Sequence, residues 1–177
     1  ELILDEITQT MQVSKVILLI RDKETGMYAP LAERGFGDSL TLRLKPDSPI
    51  ISWLATHDDV LATNDLVLQP HFKGLWAQER ADLAAARIEL FIGSRVGGDL
   101  VGMLALGPKR SEVAYAPDEQ RTLETLTNQT AVAVQNAWLY GAALDEKERA
   151  ETILQAAFAG MIVVDRNLNI VAMNPSA

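Results

Sequence analysis

"DLVGMLALGPKRSEVAYAPDEQRTLETLTNQTAVAVQNAWLY", residues Asp99 to Tyr140, decides the fold, because it sets a buried strand directly against a long helix. Asp99 to Gly107 is a short apolar run closed by Gly107 and Pro108, which predicts a strand. Pro117 then stands at a first helical position, with Asp118 and Glu119 in the first turn, where carboxylates favour the helix dipole. From there no glycine or proline interrupts the chain until Gly141, and the helix is expected to run past it, at about 1 kcal/mol relative to alanine. Heptads counted from Leu123 give Leu123, Leu126, Thr130, Ala133, Ala137, Tyr140, Leu144, Lys147, Glu151, Leu154 and Phe158. The seam is apolar or small through Leu144, turns polar at Lys147 and Glu151, and then recovers. Small residues at such a repeat favour close helix–helix contact. Val132, Val134 and Leu139 are expected to face the sheet. Two apolar faces exceed what one sheet can bury, so Leu126, Thr130, Ala133, Ala137, Tyr140 and Leu144 form the candidate dimer seam. The alternative is a contact with the N-terminal helix, and the two combine in a four-helix bundle with a second copy.

Outward from this stretch, "RIELFIGS" (87–94) reads as a strand joined to Asp99 by "RVGGD", a Gly-Gly hairpin signal. Residues 1–12 place Leu2, Ile3, Ile7 and Met11 at helical spacing. "SKVILLIRD" reads as a buried strand, "KETG" as a turn, and "MYAPLAERG" as a second strand in which Pro30 marks an edge or bulge. "LTLRLKP" (40–46) alternates and predicts a third strand. Ser48 and Pro49 then stand as N-cap and first residue of a short helix. "VLATNDL" reads as a short extended piece and "LWAQERADLAAA" as a helix.

The 177 residues suit one domain of ordinary size with some chain to spare. The net charge of −8 argues against binding a phosphate backbone. Cysteine is absent, which excludes disulfides, thiolate metal sites, thiol catalysis and cofactors attached through sulfur. No apolar run approaches the roughly 20 residues of a membrane span, so no membrane contact is expected from these residues. Signal-peptide features are missing too, and the expected location is cytoplasmic. Both ends read as cut from a longer polypeptide.

Taken in order, "VILLIRDKETGMY", "PIISWLATHDDVLATNDL" and the Asp99–Tyr140 stretch resemble a GAF domain over residues 1–140. Gly93–Ser94 departs from the pattern, since relatives often carry a proline there. The resemblance implies an α+β fold: a six-stranded antiparallel sheet, terminal helices on one face, and the irregular 46–86 segment on the other, where a small-molecule pocket is usually enclosed. After a helical linker, 141–158, the segment "AGMIVVDRNLNIVAMNPSA" (159–177) looks like the opening of a PAS domain. The order GAF, linker, PAS is similar to that of bacterial sensor histidine kinases and related cyclic-dinucleotide enzymes. It implies a downstream PAS domain and output domain as partners in the same chain, and a homodimer through the terminal helices.

Catalytic motifs of the GxSxG, HExxH, P-loop and paired-histidine types are absent, so the fragment is read as non-enzymatic. "GFGDSL" lacks the third glycine of a nucleotide fingerprint and reads as a turn. "GPKRS" places Lys109 beside Arg110 in a potential anion loop, weighed against a solvated loop. Methionine sulfoxide reduction and thioether pigment attachment, both known in the family, need cysteine. His57 and His71 are the only histidines; haem ligation is set against ordinary helix-end positions. The "NKFDE" signature of cyclic-nucleotide relatives is missing. The candidate ligand pocket gathers Trp53, Asp65, His71, Phe72 and Trp76, with Arg43 and Arg87 on flanking strands. An apolar pocket with a few directed polar groups is the usual small-ligand site. The alternative is that Trp53 and Trp76 fill the core and Asp65 caps a helix. No metal or resident cofactor is implied; the expected ligand is a small effector of unidentified chemistry.

Overall fold

A computed structural model describes residues 2–36, 42–156, 160 and 162–174. The chain divides into two compact units, Glu1–Ala133 and Val134–Ala177. Among the described residues, no helix is long and apolar enough to cross a membrane.

The first unit contains a five-stranded antiparallel sheet in the order β2-β1-β5-β4-β3. Its strands are β1 (Val16–Arg21), β2 (Tyr28–Arg34), β3 (Leu61–Ala62), β4 (Leu90–Val96) and β5 (Asp99–Leu106). The unbroken run from Val16 to Ile20 is explained by burial on both faces of β1. Ile17 and Leu19 belong to a core shared with Phe91, Met103 and Ala105 and with the helices of the 49–86 segment. Their neighbours Val16, Leu18, Leu104 and Leu106 are also buried, outside that core. Helix α1 (Leu2–Thr10) packs on β1 and β2. It buries Leu4 and Ile7 along one stripe and ties Asp5 to Arg34 Nε of β2 at 2.5 Å.

Opposite Leu18 and Leu19 the β1–β2 register shifts, passing over Leu31 just after Pro30. Among the described residues, the sixth strand expected from "LTLRLKP" is reduced to one bridge, in which Tyr28 and Leu44 exchange backbone hydrogen bonds of 2.9 and 3.0 Å. Leu40 and Thr41 of that stretch lie outside the described residues. The β4–β5 hairpin turns on Gly97 and Gly98, at φ 63° and 94°, which accounts for the Gly-Gly pair.

The helical layer consists of α2 (Pro49–Thr56), α3 (Thr63–Leu68), a 3-10 turn (Pro70–Gly74) and α4 (Ala77–Ala86). Ser48 occupies the N-cap position of α2, but its hydroxyl makes no cap bond and is buried without a partner among the described residues. "VLATNDL" is extended only over Leu61–Ala62, because Thr63 already begins α3. Asp65 falls in the first turn of α3 rather than at its cap.

Helix α5 (Pro117–Ala156) continues through Gly141 as expected. Its start is held by Glu119, which accepts from the Ala116 backbone N–H and from Lys109 Nζ, at 2.7 Å each. The Lys109 bond, ahead of the Ala116 bond, holds the Glu119 carboxyl below its ordinary range. Lys109 is thus committed to a structural pair and not to an anion loop. The nearby Tyr115 hydroxyl donates to Gly107 O, and burial pushes its ionisation up.

The facing of α5 differs from the heptad reading in two ways. Leu123, Thr127, Thr130 and Ala131 form its buried stripe, so Thr130 belongs to the inner face and not to the free seam. Val132 and Leu139, expected against the sheet, are 49% and 61% exposed. A straight helix repeats every 3.6 residues, and the inner stripe follows that spacing rather than the heptad count. Leu126 is half-buried, while Ala133, Ala137, Tyr140 and Leu144 are exposed. Side chains of Leu154 and Phe158 lie outside the described residues.

In the second unit, beyond α5, β6 (Ile162–Val164) and β7 (Ile170–Met173) form a hairpin. Asp165 Oδ1 accepts the backbone N–H groups of Asn167 and Asn169 at 2.8 and 2.9 Å, closing the turn.

Candidate functional site

The seven candidate pocket residues do not converge on one site. Phe72 is fully buried in the core between the sheet and the helical layer. Together with Leu54, Leu75, Leu83 and Phe91 it fills the space where an enclosed pocket was expected. Trp53 packs at the edge of that core and stacks on His57, with centroids 4.5 Å apart and planes within 1°. His71 is exposed, its Nε2 3.3 Å from Pro49 O. Asp65 is half-buried and lines none of the clefts described below.

Arg43 and Trp76 line an open cleft of about 650 Å³ beside α4. Lys45 Nζ sits 3.9 Å from the centroid of the Trp76 ring, a cation–π contact at the surface. Beneath it, Glu79 is 3% exposed and accepts the Lys45 backbone N–H at 2.8 Å. Glu79 thereby clasps α4 to the 42–48 segment. Its second oxygen is buried without a partner among the described residues.

A second cleft, about 460 Å³, lies between α3, the 3-10 turn and α4. This cleft combines Phe72 and Arg87 from the expected set with Leu66, Leu83, Ile88 and Arg80. Its floor is fixed, because Thr63 Oγ1 donates to Ile88 O at 2.7 Å and Thr63 N–H donates to Glu89 O at 2.8 Å. Helix α4 ends here in a Schellman turn: Arg87 N–H reaches Ala84 O and Ile88 N–H reaches Leu83 O. Arg87 takes the left-handed position at φ 54°, where glycine is the usual residue. Arg80, Leu83, Ala84 and Arg87 are spaced i, i+3, i+4, i+7, so a helical count along "AQERADLAAAR" would have revealed this face. The sequence sets Arg87 at the start of a strand, whereas in the fold it ends α4.

Strand β4 connects this layer to α5. Gly93 faces α2, where a Cβ would lie 3.5 Å from Leu54 O. Ser94 points the other way, fully buried, and donates to Thr127 O of α5 at 2.9 Å. Arg95 returns to α2, bonding Leu54 O, His57 O (2.5 Å) and Asp58 Oδ1 (2.6 Å). One guanidinium thus satisfies carbonyls at the C-terminal end of α2, where a cation also suits the dipole. Arg95→Met keeps the stem and removes the donors. It is expected to cost about 2 kcal/mol, read as a lower urea midpoint at unchanged slope.

The comparisons agree with this architecture. A methyl-accepting chemotaxis protein domain superposes with TM-score 0.63 at 19% identity, covering 78% of this chain and 88% of that one. The GAF domain of a phosphoenolpyruvate-protein phosphotransferase from Coxiella burnetii gives 0.61 at 23%, covering 80% and 83%. That of a two-component sensor histidine kinase from Bacillus halodurans gives 0.58 at 18%, covering 78% and 92%. No curated protein matches the chain in sequence. Identities this low speak for fold and leave chemistry to the residues. The GAF domain profile matches residues 1–134, which span the five-stranded sheet, α1 and the first part of α5, and the chain belongs to the GAF domain family.

Proposed function

We propose that this chain is a non-catalytic sensing and dimerising module of a cytoplasmic signal-transduction protein of the sensor-histidine-kinase kind. The observation that carries the reading is α5. It is bonded to β4 at Thr127, buries Leu123 and Ala131 on the same stripe, and continues as one helix to Ala156. Beyond its anchored stretch it carries exposed Leu139, Tyr140, Leu144 and Ile153, apolar surface suited to a second copy of the same helix. A signal at the α3/α4 cleft bears on Ile88 and Glu89, which lead into β4. Strand β4 grips α5 through Ser94. A ligand moves α5 by this route only if it binds two arrangements unequally. The hairpin of β6 and β7 is then part of the opening of a PAS domain that receives the movement, with an output domain beyond it.

One observation favours a second reading. The interior between sheet and helices is filled with side chains, as in a spacer that dimerises and senses nothing. Sedimentation and thermal denaturation across a metabolite panel separate the two. A dimer stabilised by at least one compound is the expected result. A dimer that no compound stabilises identifies the spacer, and a monomer at high concentration removes both readings.

A further inference from the structure

We infer that the α3/α4 cleft is built for an organic anion: a carboxylate on an aromatic or short alkyl body. The inference rests on the sensing reading above and names the class of signal. Its floor is carbon, from Phe72, Leu83 and Ile88, and offers nothing to a purely inorganic ion. Three cationic side chains, Lys73, Arg80 and Arg87, belong to the lining, and among the described residues no acidic side chain does. Among the described residues none of the three is in an ion pair. In a chain of net charge −8, three unpaired cations around one apolar cleft run against composition. The three are exposed at the rim above the buried Phe72, Leu83 and Ile88, and a carboxylate beside arginine is the pairing that such an arrangement favours.

Arg87 supplies an independent reason. Its backbone sits at φ 54°, a conformation glycine adopts without steric cost and arginine does not. The Schellman turn needs only backbone groups, so folding gains nothing from the guanidinium. Gln12, Glu112 and Leu168 share that backbone region, but of these four only Arg87 lines this cleft, which points to a use for its side chain there. The 460 Å³ volume is in the range of small-ligand sites.

The probes are phenylacetate and octanoate, their primary amides, and inorganic phosphate. At millimolar concentration at least one carboxylate is expected to raise the thermal midpoint and shift the methyl resonances of Leu83 and Ile88. Its amide is expected to bind at least about tenfold more weakly. Arg87→Gly gives the sharpest outcome: the free chain melts higher, because the strain is gone, yet carboxylate affinity falls by at least about tenfold. Arg80→Gln is expected to weaken binding without that gain in melting temperature. Equal binding of acid and amide overturns the anion inference and leaves the sensing reading standing. Binding of phosphate alone overturns the apolar body, and resonance shifts confined to Trp76 place the ligand in the wrong cleft. If none of these probes binds, the inference falls, while the wider metabolite panel judges sensing separately.

Discussion

A Gly102→Val chain is expected to lose about 3 kcal/mol or more, a large share of the stability of a domain this size. Gly102 lies in β5 opposite both Ile20 of β1 and Ser94 of β4, so it is paired on both sides in the middle of the sheet. A Cβ built there would fall 2.6 Å from Leu19 O and 2.6 Å from Ile20 Cδ1. The methyl of Ile20 can rotate aside, but a backbone carbonyl held in the β1–β5 ladder cannot. Separating the strands to admit the side chain would break ladder bonds at the centre of the fold. The loss would also displace Ser94, and with it the bond to Thr127 that fastens α5. Urea denaturation followed by circular dichroism reads the effect. Gly141→Ala is the control, since nothing lies within 4 Å of its added carbon. In the helix interior it is expected to stabilise by about 0.5–1 kcal/mol. If Gly102→Val unfolds at the parent midpoint, the close approach of β1 and β5 is not as described.

Gly102 also shows what the sequence hides. Within "DLVGMLALG" it is simply a glycine inside a strand; its necessity comes from β1, some 80 positions away in the chain, and pairing partners leave no mark on local periodicity. Where the signal was local, the reading held. The Gly-Gly hairpin, Pro49 and Pro117 at helix starts, and the bulge beside Pro30 all follow from backbone chemistry within a few residues. "LTLRLKP" alternates as a strand should, yet among its described residues only Leu44 is bridged, because alternation records burial on one side and not hydrogen bonding. The inner face of α5 was obscured by its polarity. Thr127 and Thr130 are buried although they are threonines, because each hydroxyl bonds back to the carbonyl four residues earlier. For the site, aromatic density drew attention to Trp53 and Trp76, which pack at edges. The cleft that combines charge with apolar surface lies on a face of α4 whose arginines look, in sequence, like ordinary solvated residues.

The same correction sharpens the last prediction. With Thr130 turned inward, the free stripe begins at Ala133 and Ala137, one helical turn apart and both exposed. Ala133→Glu with Ala137→Glu should therefore leave the fold intact, with the melting temperature of the isolated chain close to the parent, since exposed substitutions rarely exceed about 0.5 kcal/mol. In a two-fold helix pair the double change sets four carboxylates along the line where small residues permit closest approach. They must be desolvated near one another or the helices must part. The dimer dissociation constant is expected to rise at least about 100-fold, equivalent to about 2.8 kcal/mol, giving a folded monomer in sedimentation. Glutamate favours helix, so loss of α5 itself is not the anticipated cause. Unchanged helical circular dichroism would establish that. Should the variant remain dimeric, the two copies meet elsewhere, with α1 and its exposed Ile3 the next surface to alter. Should the parent chain sediment as a monomer at every concentration, the apolar stripe of α5 has no second copy to receive it, and the helix would have to relay its signal within a single chain.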